Sequence, residues 1–192
     1  MTLRPPRSTP RRRGAGEGSV TVFVADEQRD QPVDVPRWGV LAEQVLGAEG
    51  VRGEAELSVL FVDAETIATL NADFMGVEGP TDVLSFPIDG ELAPSGRWPD
   101  DGGPGPDRGL PDIDDMPLLL GDVIICPEVA AANAPAHAGS LDDELALLVV
   151  HGILHLLGMD HADDGERLAM QARERALLDE FHGATTRDPW AP

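Results

Sequence analysis

Apolar residues recur along this chain with two different periods, and the switches between them lay out the elements. In 19–26, SVTVFVAD, apolar and small polar residues alternate, which predicts a strand. Residues 35–50 put Trp38, Leu41, Val45 and Leu46 at helical spacing, with Gly47 or Gly50 to end the helix. A second strand is predicted over 55–63, AELSVLFVD. Residues 64–75 then predict a short helix with Ile67, Leu70 and Phe74 on one side. DVLSFPID (82–89) predicts a third strand that ends near Pro87, and LLLGDVIICP (118–127) a fourth, apolar enough to be central in its sheet. Residues 128–138 begin as a helix that Pro135 breaks. The longest helical pattern, 141–158, is apolar nearly all round and predicts a buried central helix. Ser140, with Asp143 three residues on, resembles a capping box at its start. An amphipathic helix is predicted over 163–181, and there are no internal repeats.

Three segments lack any such period. Residues 1–18 are Pro, Gly, Ser and Arg with almost nothing to bury, and predict a disordered Arg-rich extension. Residues 89–117 hold eight acids against two arginines, and predict a flexible acidic loop, a lid being the alternative. Residues 182–192 read as a C-terminal tail. One domain, 19–181, accounts for the rest, as a length of 192 residues allows.

Charge narrows the partners. The net charge is −21, and every basic residue is an arginine. Residues 1–18 carry five arginines and one acid, Glu17, which leaves nine basic and 34 acidic residues for the remainder. This speaks against a broad electrostatic grip on nucleic acid, although an acidic body can still bind RNA through a local groove and a metal, and the arginine run of 1–18 reads either as an RNA contact or as a solvated extension. Cys126 is the only cysteine, which excludes an intramolecular disulfide and a thiolate cluster and points to the cytoplasm. It closes an apolar run and reads as a small hydrophobe. No run of about 18 apolar residues exists, so no membrane span is expected.

The chemistry is concentrated in HGILHLLGMDH, 151–161. Histidines four apart on a helix share a face, one turn apart, so His151 and His155 can present both rings to one ion. Gly158 can reverse the chain after the helix and let His161 return as a third ligand. Three protein ligands leave an open position, as in catalytic rather than structural zinc sites. The spacing is similar to that of the metzincin proteases, but Gly152 stands where those enzymes keep the glutamate base. Peptide hydrolysis is therefore not expected. A phosphodiester is a better match, because a metal can acidify water and polarise a phosphoryl oxygen by itself. No side chain is assigned a catalytic role beyond that water, and no substrate-binding residue is identified. Asp160 reads as a turn residue or a partner to a ligand imidazole, and Asp82 as a cap at its strand's start. Thr81 and Ser85 read equally as groove contacts and as strand packing. His137 and His182 read as ordinary core or surface histidines.

HGILHLLGMDH, together with PTDVLSFP (80–87), LLGDVIIC (119–126) and Asn71 in TLNADF, resembles the YbeY family of ribosomal-RNA maturation endoribonucleases over roughly 19–181. The resemblance implies an α/β (α+β) fold: a small mixed four-stranded sheet, about five helices, and a central helix carrying the ligands. It implies a single zinc ion per chain, held by His151, His155 and His161. It also implies cleavage of single-stranded ribosomal RNA precursors, chiefly at the 3′ end of the small-subunit RNA, and a part in ribosome quality control. The expected partners are those precursors and the small ribosomal subunit; the expected state is a monomer. One position departs. Met75, in FMG, stands where many members carry an arginine that the resemblance assigns to the RNA phosphate. With the acidic body, this motivates an alternative: a non-catalytic metal-binding ribosome-assembly factor. A metallohydrolase for another substrate is the third reading.

Overall fold

Alternation in β2 (Ala55–Phe61) shows how the sheet meets its core: Ala55, Leu57, Val59 and Phe61 are buried, while the residues between them are partly open. The computed structural model describes residues 20–88 and 118–191. The readings made for 1–18 and 89–117 lie outside these residues, as do Ser19 and Asp89 at the ends of two expected strands. β1 (Val20–Asp26) and β4 (Leu118–Ile125) run parallel to β2 on either side, and β3 (Val83–Pro87) pairs antiparallel with β4. The order is β1-β2-β4-β3, a mixed four-stranded sheet.

β4 is interior, in keeping with its apolar run, and carries a bulge. Glu56 pairs with Leu119 but Leu57 with Gly121, so Leu120 is the extra residue. Gly121 sits at φ +134°, and a Cβ there would meet the Phe86 carbonyl oxygen at 2.1 Å. Beyond the bulge, Val123 and Ile125 are fully buried in the main core.

Five α-helices pack on this sheet among the described residues. α1 (Val35–Ala48) contributes Trp38, Leu41, Val45 and Leu46 to the core, the stripe its periodicity predicts. Of its two candidate stops, Gly47 remains helical and Gly50 takes the left-handed conformation at φ +82°. α4 (Leu141–Leu156) is the central helix, with Leu145 to Val150 and Gly152 to Leu154 all buried. Each such leucine, isoleucine or valine is worth about 1.5–3 kcal/mol of transfer from water. α5 (Asp164–Phe181) covers α4 through Met170, Leu177 and Leu178, and starts with a true capping box, Asp163 with Glu166. α3 (Pro127–Asn133) begins at Pro127 and passes into a short 3-10 turn at Ala134–Ala136, around the expected break.

The helix expected over 64–75 is shorter. α2 (Ala64–Leu70) gives way to a π-helical turn, Asn71–Met75, closed by Gly76 at φ +67°. A π turn takes more residues per turn than an α-helix, so Phe74 does not return to the side of Ile67. It is exposed, edge-on to Phe86 with ring centroids 5.0 Å apart. Asn71 is buried here; its amide donates to the Gly79 carbonyl at 2.9 Å and ties down the loop that leads into β3.

The start of α4 also differs in detail. Ser140 Oγ accepts the Asp143 N–H at 3.1 Å, as a cap should. The Asp143 carboxylate takes the Ser140 hydroxyl, the Thr186 N–H and His182 Nε2, at 2.7, 2.9 and 2.8 Å. It thus staples the chain beyond α5 to the start of α4.

Candidate metal centre

His151 and His155 lie one turn apart on α4 and, unlike most of the helix around them, are only partly buried. Gly152, next along, faces the sheet instead. A Cβ at 152 would lie 2.5 Å from Val123 Cγ1 and 3.2 Å from Ser85 Oγ. The Ser85 hydroxyl donates to the Gly152 carbonyl at 3.2 Å. The position that holds glutamate in the proteases with this spacing is here a close contact between helix and sheet.

α4 ends in a Schellman turn. The Gly158 N–H donates to the His155 carbonyl at 3.0 Å and the Met159 N–H to that of Leu154 at 3.0 Å. Gly158 takes φ +86°. The reversed chain brings His161 back, and Asp160 supports the turn by accepting the His161 N–H at 2.7 Å.

One donor atom from each of the three imidazoles lies within 4.8 Å of the others. His155 Nε2 and His151 Nε2 are 3.1 Å apart. Two nitrogens bound tetrahedrally at zinc-like distances of about 2.0–2.1 Å would be separated by about 3.3 Å, so the pair has nearly the spacing an ion requires. Burial, with the charges of His151 and His161, holds the His155 imidazole below its ordinary pKa. A neutral ring is the form that ligates.

Glu174, which sequence reasoning missed, completes the arrangement. Its Oε1 is 2.6 Å from His151 Nδ1, and its Oε2 accepts the Trp190 indole N–H at 3.0 Å. With Nδ1–H committed to the carboxylate, the lone pair of His151 stays on Nε2, toward the other two histidines. A signal existed in the sequence. Residues 170, 174, 177 and 178 fall on one helical stripe, and Glu174 is the acid within it.

His151 and His161 of the three-histidine group line a cleft of about 280 Å³. His151, His161, Asp82, Glu174, His137, Arg167 and Trp190 are on its walls. Asp82 is engaged: Oδ1 accepts from the Thr81 hydroxyl and the Val83 N–H at 3.2 and 2.9 Å, and Oδ2 from the Asn133 amide at 3.2 Å. His137 is held through Nδ1 by the buried Glu144, 2.8 Å away. His182 lies away from the cleft, paired with Asp143. Met75 is half exposed on the π-helical turn and is not among the residues lining the cleft. Arg167, paired with Asp164 at 2.7 Å, is the arginine on the cleft wall.

Three converging imidazoles beside an open cleft, two from the central helix and one from the turn after it, have the form of a metal-dependent hydrolase centre. Comparison with known proteins carries this further. The family model described as endoribonuclease YbeY matches residues 23–182. The chain is 45% identical over 165 residues to endoribonuclease YbeY of Nocardia farcinica, covering 85% of this chain and 81% of the relative. It is 44% identical over 159 residues to that of Thermobifida fusca, covering 83% and 92%. The solution structure of TM1509 from Thermotoga maritima shares the fold, with a TM-score of 0.53 at 24% identity over 85% of this chain and 90% of that one. The chain belongs to the endoribonuclease YbeY family.

Proposed function

We propose that this protein cuts single-stranded RNA in ribosomal RNA precursors, chiefly in maturing the 3′ end of the small-subunit RNA, and that it serves ribosome quality control in the cytoplasm. Its partners would be those precursors and the small ribosomal subunit. His151, His155 and His161 hold one metal ion, and the ion is zinc. The observation that carries the reading is the convergence of three imidazoles, two of which, His151 and His161, line an open cleft. All-nitrogen ligation with an open position suits a catalytic zinc ion.

When bound, the ion supplies Lewis acidity toward a phosphoryl oxygen and toward water. The chain's own groups do the positioning. Glu174 holds the His151 proton on Nδ1, and Asp160 shapes the turn that presents His161. The carboxylates on the cleft wall, Asp82 and Glu174, already spend both oxygens on the protein. No residue at 152 reaches the cleft. This favours a reaction that needs no separate carboxylate base, as the metal-assisted cleavage of a phosphodiester does. Arg167 offers the cleft a cation for a phosphate, the role that Met75 cannot fill.

The test is cleavage of single-stranded RNA by the metal-loaded protein. Wild type should cut, and His151→Ala should lose at least a hundredfold in rate. An equal rate in both, or RNA binding with no cutting by wild type, would favour an assembly factor over an enzyme.

A further inference from the structure

Glu174 is 3% exposed, and a carboxylate so placed needs partners for both oxygens. It has two, the His151 imidazole on Oε1 and the Trp190 indole on Oε2. An indole N–H can only donate, so the Trp190 bond fixes which oxygen is left for His151 and in what direction. We infer that Trp190 is a positioning residue of the metal centre, acting through Glu174 on His151. This rests on the reading of His151 as a metal ligand.

The segment that carries Trp190 is built to deliver it. The Thr186 N–H donates to Asp143 at 2.9 Å and the Arg187 N–H to the Ala138 carbonyl at 2.9 Å. The close pass requires Gly139, where a Cβ would lie 2.8 Å from Thr186 Cβ and 2.9 Å from Arg187 N. Arg175 then grips Asp188 through both terminal nitrogens at 3.1 Å, and its guanidinium lies 4.6 Å over the Trp190 ring. Asp188 also accepts the Trp190 N–H at 3.0 Å. The indole is thus held by its ring and by its backbone, and its one polar hydrogen goes to Glu174. Without that hydrogen, Oε2 is left unpartnered in a buried place. The carboxylate then turns to find one, and the His151 ring loses its fixed orientation.

Trp190→Phe isolates the effect, because it keeps a ring for Arg175 and removes the N–H. The measurement is Co²⁺ binding to the full chain by visible absorption, with Val45→Ala as a control that loosens the core on α1 without touching these residues. Trp190→Phe should bind Co²⁺ about tenfold to a hundredfold more weakly than wild type, with a shifted absorption band, while Val45→Ala binds as wild type does. In a Glu174→Ala background, Trp190→Phe should have no further effect. An affinity within twofold of wild type in Trp190→Phe overturns the inference. So does an equal loss in Val45→Ala, or an undiminished effect without Glu174. Should Glu174→Ala not fold, the comparison of Trp190→Phe with Val45→Ala decides. A wild-type chain that takes up no Co²⁺ sinks the ligand reading, and the inference with it, which is a different result from metal bound equally by wild type and Trp190→Phe.

Discussion

At position 152 the distance to β4 decides the residue. A methyl group there would press on Val123 Cγ1 at 2.5 Å, and Val123 is fully buried. Gly152→Ala gains up to about 1 kcal/mol of helix propensity. Forcing an extra methyl into a packed core costs about 1–3 kcal/mol, so the clash should win. We expect a net loss of up to about 2 kcal/mol, read as a lower urea midpoint with an unchanged slope. A variant as stable as wild type would mean that α4 can lift off the sheet. The glycine was visible in the sequence, but its reason was not, because Val123 is 29 residues away and only β4's place in the sheet brings it near. The histidines were different: offsets of four and ten residues around a glycine carry their own geometry. Glu174 shows in the sequence only as an acid on a buried stripe and Trp190 not at all, since their partners are set by how α5 and the chain after it lie against α4.

α4 is tied at both ends, by the Schellman turn below the histidines and by Asp143 above them. Burial by itself raises the Asp143 carboxyl; hydrogen bonds from Thr186, His182 and Ser140 outweigh it and hold the group below the ordinary carboxylate range. The folded value is therefore lower than the unfolded one, and the unfolded chain takes the proton first as acid is added. The stabilisation is fully present above about pH 3.9 and is lost as pH falls through the folded value. Acid unfolding of wild type should show this loss, and Asp143→Asn should be less stable at pH 7 with a shallower dependence below pH 4. Parallel acid profiles for the two would show that the staple is not what titrates. Most elements were readable from their periods because each strand or helix buries one side. The exception, 64–75, misled because a π turn keeps helical composition while changing the spacing that places Phe74.

For the molecule as a whole, an acidic chain carries a centre of three histidines. The net charge of −21 leaves little general attraction for RNA; under the proposed function, binding falls to local groups such as Arg167 on the cleft wall. Strand order was only partly readable: the apolar run of β4 marks an interior strand, but nothing in the periods says that its neighbours are β2 and β3. No helix among the described residues is long and apolar enough to cross a membrane. Metal binding at the three histidines is tested most directly by elemental analysis of protein purified without a histidine tag, then incubated with zinc at neutral pH and desalted. About one ion per chain is expected in wild type, with most of it lost in His155→Ala, since two imidazoles make a poor site. Wild-type protein that emerges folded and without metal, or His155→Ala that keeps a full ion, would contradict it.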